Sequence, residues 1–439
     1  MTSIHEAPPK PATFLITSST ASGHLLRMLD ITQQLTSRGH RVLFKAHRSV
    51  ADAAKAAGAE HIPHENIIDL QDFASLSRHS DPPAWMPKFA FGMVLFRTLF
   101  QANNVQLAQE IEPILRREKV DCVVYDFFEF GAAWAAERVG IPWASAGNMG
   151  TVLTPEDVPL MFNTLPPLRA FRKIPAVAHT LGNQLLPLNA LRTKLGLPAY
   201  TGRTADMMRA MASPHLHIIM AHRGLAGDAL LRDNQVFAGP TTFNFSSSSN
   251  GEAPRMDPGT VLVSTTTTPK DDGLFRRVLE AVAPMNVPVL ATAASAHDVP
   301  SGLGAHIRIE RYIPHDTVFP EARALVTHGG WGTVGRALIH GLPMLVIPLF
   351  GDQILNATLV ERAGLGRHLP LKKATPEAIR AELRALLDNE AIRARARSTS
   401  LEIKQLKADQ VAARSLEQLV FGQSATAASA PRASTQAAA

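Results

Sequence analysis

The sequence predicts an α/β protein built from two doubly wound parallel-sheet domains. Short apolar runs alternate with helical patterns along most of the chain, the alternation is interrupted once near the middle, and it then restarts. With 439 residues the chain is long enough for two such domains. Its hydrophobic content of 46%, against 19% charged residues, excludes a largely disordered protein.

The first half begins with a βαβ pattern. The run TFLITSS (13–19) predicts a buried strand, LLRMLDITQQLTSRG (25–39) predicts an amphipathic helix, and RVLFKAH (41–47) predicts a second, parallel strand. A further strand, DCVVYDF (121–127), precedes a helix that we expect to start near Ala132. The later strands of this half are predicted at 141–147, 215–221 and 234–240.

The segment TTFNFSSSSNGEAPRMDP (241–258) separates the two halves. It is rich in Ser, Pro and Gly and has little periodicity, which predicts an interdomain linker. After it, strands are predicted at 260–266, 287–293, 306–312, 324–330 and 344–350, with helices between most of them.

Charge and cysteine content exclude several classes of protein. The formal net charge is +6 and the basic residues are scattered, so nucleic-acid binding is not indicated. The single cysteine, Cys122, excludes a disulfide framework and a cysteine-based zinc site. No apolar run reaches the ~18 residues of a membrane span, and the first ten residues lack the order of a signal peptide. We therefore expect a cytoplasmic protein without a membrane span.

The most informative stretch is THGGWGTVGRALIHGLPMLVIPLFGDQILNATLVERAGLG (327–366). A predicted strand ends at Thr327, and His328-Gly329-Gly330 forms a tight turn before a helix that begins near Gly332. Such a turn leaves free N–H groups and the positive end of a helix dipole at the carboxyl edge of the sheet, which suits a pyrophosphate. The motifs GxGxxG after the first strand and GxxxxGK[ST] are absent, which argues against a dehydrogenase and a phosphate-loop NTPase.

The next strand leads into Phe350-Gly351-Asp352-Gln353. A carboxylate and an amide side by side at the end of a strand can hydrogen-bond adjacent sugar hydroxyls. Taken singly, the first turn could be only a strand-to-helix connection and Asp352 only a helix N-cap. Their combination in one crevice, followed by Asn356, favours a site that holds both a pyrophosphate and a polyol.

This stretch resembles the donor-binding signature of the family 1 glycosyltransferases. The matching elements are HGGWGT (328–333), the Gly341-Leu342-Pro343 turn, Pro348, Asp352-Gln353 and Asn356. Upstream, RYIPHDTVFPEA (311–322) resembles the family's base-binding segment, and NQVFAGP (234–240) resembles the end of its first domain. The resemblance implies the GT-B fold, in which two Rossmann-like domains face a central cleft, and sugar transfer from a nucleoside diphosphate sugar to a small molecule.

The resemblance also implies the roles of particular residues. His24, just after the first strand, is the expected base, and Asp126, at the end of strand 121–127, is expected to orient it. Asp121 is the competitor for the second role, but it opens the strand and belongs at the opposite edge. Donor binding is expected at Thr267, Tyr312, Ile313, His315, His328, Gly330, Trp331, Gly332, Thr333, Asp352 and Gln353.

Large apolar side chains are the candidates for an acceptor pocket, with ordinary core packing as the alternative. The expected lining residues are Trp85, Phe91, Phe127, Phe128 and Met149.

No metal and no cofactor other than the nucleotide-sugar co-substrate are expected. The chain has no DxD pair, and His61, His64 and Glu65 match no recognised ligand spacing. We therefore expect the helix N-terminus, His328 and nearby hydroxyls to stabilise the negative charge of the leaving group.

Three positions depart from the family pattern. Arg336 stands where many members carry a ribose-binding acid, His315 stands at a common Gln, and Tyr312 stands at a common base-stacking Trp. These changes weaken the case for a uridine donor and leave open a thymidine donor, which lacks the 2′-hydroxyl, or a donor with another nucleotide.

The sequence therefore predicts an inverting hexosyltransferase that uses a UDP- or dTDP-sugar and a His-Asp base. Its acceptor would be an apolar, hydroxylated natural product, polyphenol, macrolide or lipid. An inactive sugar-nucleotide-binding subunit and a GT-B sugar-nucleotide epimerase remain as alternatives. We expect a monomer or homodimer.

The predicted parts of the chain are a disordered tail (1–11), an acceptor domain (12–240), a linker (241–258), a donor domain (259–400), a C-terminal helix that packs back on the first domain (401–422) and a second disordered tail (423–439).

Overall fold

The computed structural model of the protein describes most of the chain between residues 10 and 428. The described ranges are 10–68, 88–155, 159–160, 164–165, 183, 187–201, 206–243, 256–265, 273–292, 299–311, 313 and 315–428. In these ranges the chain forms two parallel sheets flanked by helices, which confirms the predicted fold class.

The first sheet contains seven parallel strands in the order β3-β2-β1-β4-β5-β6-β7. Its central strands are continuous apolar runs because helices cover both faces of the sheet, and every residue of the fourth strand is buried. The strands are β1 (Thr13–Ser18), β2 (Arg41–Ala46), β3 (Glu60–Pro63), β4 (Cys122–Asp126), β5 (Trp143–Gly147), β6 (Leu216–Ile219) and β7 (Gln235–Phe237). The helices that accompany them are α1 (Ser22–Ser37), α2 (Ala51–Ala56), α3 (Lys88–Arg117), α4 (Gly131–Val139), α5 (Leu188–Lys194) and α6 (Asp206–Met211).

The second sheet contains six parallel strands in the order β10-β9-β8-β11-β12-β13. The strands are β8 (Val261–Ser264), β9 (Val289–Thr292), β10 (Ile307–Glu310), β11 (Ala324–Thr327), β12 (Met344–Val346) and β13 (Gly366–His368). The helices are α7 (Leu274–Val282), α8 (His315–Val318), α9 (Trp331–His340), α10 (Asp352–Arg362) and α11 (Pro376–Leu387). Because all strands of a sheet run in parallel, the β1 and β4 ends share one edge, and the β11 and β12 ends share another.

The chain ends in two long helices, α12 (Glu390–Ala408) and α13 (Val411–Ala428), which return to the first domain. Ala412, Ala413 and Leu416 are fully buried in the same hydrophobic cluster as the apolar side chains of β1, β2 and β4. Lys407 Nζ also lies 2.8 Å from Asp30 Oδ2 on α1. The two helices are separated by Gln410, whose positive φ of 49° breaks the helical path.

The structure differs from the sequence prediction at the edges of the sheets and at the C-terminal helix. The edge strands β3 and β13 were not predicted, since Glu60–Pro63 and Gly366–His368 have neither an apolar run nor regular alternation. The predicted single helix 401–422 is two helices, and the second continues to Ala428. Most of the predicted linker 241–258 lies outside the described residues. Among the helices that are described, none has the length and apolar character to cross a membrane.

Candidate active site

His24 and Asp126 form a direct hydrogen-bonded pair. His24 lies in the first turn of α1, just after β1, and Asp126 is the last residue of the neighbouring strand β4. The distance from His24 Nδ1 to Asp126 Oδ1 is 2.7 Å, and the side chains are 18% and 0% exposed. The structure therefore brings together the two residues that were predicted to act as base and orienting acid, with only the histidine open to solvent.

The charge of the buried Asp126 carboxylate is compensated locally. Burial favours the neutral acid, but His24 and Arg27 outweigh that effect and hold the pKa of Asp126 below its usual value. Oδ1 also accepts a hydrogen bond from the Phe128 N–H at 3.2 Å. The Phe127 and Phe128 rings contact each other, with centroids 4.4 Å apart, and both pack against the imidazole, with centroids 5.1 and 5.2 Å from that of His24. The imidazole is thus oriented by an ionised carboxylate and packed against a pair of aromatic rings.

The HGG turn on the second sheet requires glycine at position 329. Gly329 has a φ of +89°, and a Cβ there would lie 2.6 Å from Val346 Cγ1 on β12. A Cβ on Gly330 would lie 2.7 Å from His328 Nε2. Because α9 begins directly at Trp331, its first N–H groups are left without intrahelical acceptors. This geometry can bind an anion, as the sequence predicted.

His328 is the histidine of this turn and is half-buried. Burial lowers the pKa of His328 to about 4, so the ring is neutral at pH 7. Its Nδ1 is buried and has no hydrogen-bond partner among the described residues. A neutral imidazole can still donate a hydrogen bond to an anion, but it supplies no formal charge.

Asp352 is the first residue of α10 and follows Gly351, whose φ is 61°. The protein around the carboxylate raises its pKa by limiting hydration, although solvent reaches the side chain. His24 and Arg27 are close enough to oppose this rise by their charge, so Asp352 faces the same cleft as the His24–Asp126 pair. Behind it, Asn356 Nδ2 donates to the Gly329 carbonyl oxygen at 2.9 Å and joins α10 to the HGG turn.

Comparison with known proteins finds glycosyltransferases of natural-product biosynthesis. Residues 276–419 match the family model of the erythromycin biosynthesis protein CIII-like C-terminal domain. The 4'-demethylrebeccamycin synthase of Lentzea aerocolonigenes is 26% identical over 403 residues, which cover 88% of this chain and 94% of that protein. The chain is a glycosyltransferase.

Solved structures show the same GT-B fold. The glycotransferase of kitacinnamycin superposes with a TM-score of 0.73 at 21% identity, and the match covers 94% of this chain and 99% of that one. The glycosyltransferase VinC, solved in complex with dTDP, superposes with a TM-score of 0.66 at 19% identity and covers 93% and 98% of the two chains.

A cavity in the first domain lies next to His24. Phe128, which stacks on His24, lines this cavity together with Ile67, Phe100, Leu107 and Asn104. Phe128 was predicted to bind the acceptor, whereas the α3 side chains Phe100 and Leu107 were missed, although the apolar face of that helix could have indicated them.

Two of the side chains predicted to bind the acceptor offer little surface to it. Met149 is 1% exposed and is packed in a hydrophobic cluster with side chains such as Leu355 of α10. Phe127 is 6% exposed and is occupied with His24 and with the Arg27 guanidinium, whose Cζ lies 5.1 Å from the ring centroid. Trp85 and the side chain of Phe91 lie outside the described residues.

Two predicted donor residues also make contacts within the protein. Gln353 is buried, and its Oε1 accepts hydrogen bonds from the backbone N–H groups of Leu349 and Phe350 at 2.9 and 3.2 Å. A sugar contact of Gln353, which stays a prediction, would therefore be made by its Nε2 amide group. The Trp331 indole N–H donates to the Met220 carbonyl oxygen at 3.2 Å, so this side chain joins the two domains. Gly332 is exposed with open space around its Cα, and Thr333 is half-buried.

The segment expected to bind the nucleotide base is held by charge pairing. Arg336 forms an ion pair with Asp316, and its Nη2 donates to the Phe243 carbonyl oxygen at 3.3 Å. His315 stacks on Phe319 with a centroid distance of 4.6 Å, and burial lowers its pKa to about 4. Ile313 is 5% exposed and packs in the core, so it offers little side-chain surface to a base. Thr267 and Tyr312 lie outside the described residues.

Among the residues that the structure describes, no group of three or more His, Cys, Asp or Glu side chains is arranged to hold a metal ion. The structure adds one residue to the site that sequence reasoning missed: the buried Arg27, 3.6 Å from Asp126. Only its place one helical turn after His24 could have indicated it.

Proposed function

We propose that this glycosyltransferase inverts the sugar's anomeric configuration and transfers a hexose without a metal, from a UDP- or dTDP-sugar to a hydroxyl of an apolar natural product. The observation that carries the proposal is the 2.7 Å bond between His24 and Asp126 in a cleft that Asp352 also faces. Sugar transfer to a hydroxyl requires a base, a sugar site and a diphosphate site. Candidates for all three lie on strand ends and helix starts around this cleft.

The base would work through its free nitrogen. A carboxylate only accepts, so His24 Nδ1 carries the hydrogen of the bond to Asp126 and Nε2 is left to take a proton. His24 Nε2 removes the proton of the acceptor hydroxyl while that oxygen bonds to the anomeric carbon. The bond from this carbon to the diphosphate oxygen breaks, and the diphosphate keeps the electron pair. A single displacement inverts the anomeric centre, and ionised Asp126 stabilises the imidazolium.

The diphosphate would bind at the start of α9. The unpaired N–H groups that follow Gly330 and the helix dipole attract the negative charge that develops on the leaving group. His328 would add a hydrogen bond from a neutral ring, since its pKa is lowered to about 4 by burial.

The substrate classes are supported by the relatives and by the site. The rebeccamycin and kitacinnamycin relatives are named for natural products, and the cavity beside His24 is lined by apolar Ile67, Phe100 and Leu107. The VinC complex contains dTDP, and Arg336 occupies the place where the family carries a ribose-binding acid. These observations favour an apolar hydroxylated acceptor and a donor that need not carry a ribose 2′-hydroxyl.

The test is a mass-spectrometric transfer assay. The purified chain is incubated with UDP-glucose or dTDP-glucose, with and without a panel of hydroxylated aromatic and macrolide acceptors. We expect an acceptor product heavier by one hexose, and we expect that His24→Ala strongly reduces it. Full activity of folded His24→Ala would contradict the assigned base. Isomerised donor in the arm without acceptor would indicate an epimerase, and donor binding without turnover would indicate an auxiliary subunit.

A further inference from the structure

Arg27 is a buried cation to which the transfer chemistry above gives no task. It lies on α1, three residues after His24, and is 3% exposed. Its Nε and Nη2 donate to the Gly23 carbonyl oxygen at 3.1 and 2.9 Å. Its Nη1 is buried and has no hydrogen-bond partner among the described residues. A guanidinium in such a place requires compensation of its charge.

The compensating charge is Asp126. Arg27 Nε lies 3.6 Å from Asp126 Oδ2, the oxygen that His24 does not use and that accepts no hydrogen bond in the described structure. The carboxylate therefore has His24 on one oxygen and Arg27 on the other. The Arg27 Cζ lies 5.1 Å from the centroid of the Phe127 ring, so the ring packs against the guanidinium.

We propose that Arg27 is a positioning residue that sets the proton affinity of the His24–Asp126 pair. The inference rests on the proposed role of His24 as the base. While His24 is neutral, the charges of Asp126 and Arg27 cancel. When His24 takes the acceptor proton, the three residues carry one net positive charge in the cleft where the diphosphate gains negative charge. Without Arg27, neutral His24 and ionised Asp126 carry a net charge of −1. The pair therefore binds a proton at a higher pH, and below that pH the protonated His24 cannot act as the base.

Two other titratable groups face Arg27 from neighbouring elements. His217 on β6 is fully buried between Ser145 and Thr151, and burial lowers its pKa to about 4, so it is neutral in the working range. Asp352 on α10 is negative and faces both Arg27 and His24. Neither can replace the cation, and Asp352 adds to the negative charge that Arg27 offsets.

The test is the pH dependence of kcat/KM for Arg27→Gln and Arg27→Lys in the full chain. For Arg27→Gln we expect the acid limb to move upward by about one pH unit, which is roughly a 10-fold loss below the limb and little loss on the plateau. Arg27→Lys keeps the positive charge and should move the limb less. Arg192→Gln is the matched control, because Arg192 is similarly buried, at 2% exposed, and pairs with Glu137 at 2.8 Å outside the cleft. It should lower stability without moving the limb.

A second pair of variants covers the case in which Arg27→Gln does not fold. Asp126→Asn and the double variant Asp126→Asn/Arg27→Gln leave no unpaired buried carboxylate. The acid limb of the double variant should lie above that of Asp126→Asn, because Arg27 no longer repels the proton on His24.

The inference is overturned if Arg27→Gln has the same acid limb as the wild type, or if the double variant has the same acid limb as Asp126→Asn. A loss of kcat/KM that is equal at every pH would also overturn it and leave Arg27 a purely structural role. Arg27→Lys that behaves as Arg27→Gln would do the same. The outcome for His24→Ala is separate: if that variant keeps full activity, the proposed base is wrong whatever Arg27 does.

Discussion

Asp126→Asn is the most direct test of the charge in the His24–Asp126 pair. Asn preserves the shape of the side chain and a hydrogen bond to His24, so the substitution removes mainly the carboxylate charge. At an effective dielectric constant of about 20, opposite unit charges about 4 Å apart attract by about 4 kcal/mol. The retained neutral hydrogen bond offsets about 1 kcal/mol of that. We therefore expect a loss of about 2–4 kcal/mol in the transition state, or ~30- to 1000-fold in kcat.

The assay is steady-state transfer with saturating donor, together with calorimetric binding of the free nucleoside diphosphate. Donor affinity should hardly change, because Asp126 is buried behind His24 and lies on the first sheet. His24→Ala should lose ~10²–10⁴-fold and set the upper limit. The reasoning is refuted if folded Asp126→Asn keeps wild-type kcat, or if its loss appears only as weaker diphosphate binding. A thermal melt is required alongside, since Arg27 loses its counter-ion in this variant.

Three further outcomes are expected. Asp352→Ala should lower kcat/KM by ~10–150-fold because a hydrogen bond to a sugar hydroxyl is lost. His328→Ala should instead weaken binding of the free nucleoside diphosphate. If Asp352→Ala weakens that binding equally, Asp352 only supports the phosphate-binding turn. Calorimetry should give dissociation constants for UDP and dTDP within about 10-fold of each other, since Arg336 is paired with Asp316, and a ~100-fold preference for UDP would require another ribose ligand. Excess EDTA should leave the transfer rate unchanged, and activity lost to the chelator and restored by Mn²⁺ would contradict the metal-independent account.

The central strands could be predicted closely from the sequence, but the edges of the sheets could not. The runs at 13–19 and 121–127 are continuous and apolar because these strands are covered on both faces, and the structure has them at Thr13–Ser18 and Cys122–Asp126. The edge strand Glu60–Pro63 needs little apolar surface, since it pairs only with β2. Its formation depends on the neighbouring strand rather than on its own residues.

The same distinction applies to the site. His24 and Asp126 follow from the rule that parallel strands bring their carboxyl ends to one edge, so their meeting across the sequence could be anticipated. The tasks of Gln353 and Trp331 depend on backbone atoms that tertiary packing brings close, such as the Met220 carbonyl oxygen. Arg27 escaped prediction because the residue that compensates its charge is on a different strand, far along the chain.

The return of the last helix to the first domain constrains how this enzyme can be recombined with its relatives. Glu417 on α13 binds Arg38 Nη2 and His40 Nε2 at 2.8 Å each, and Leu416 lies in the core of the first sheet. A donor half exchanged from the linker to the chain end would therefore bring a foreign helix into the acceptor half. If the exchanged segment ends within α12, the original α13 stays packed in the core of the first sheet. Libraries of hybrid enzymes should accordingly use two junctions, because a single crossover in the middle of the gene divides one folding unit.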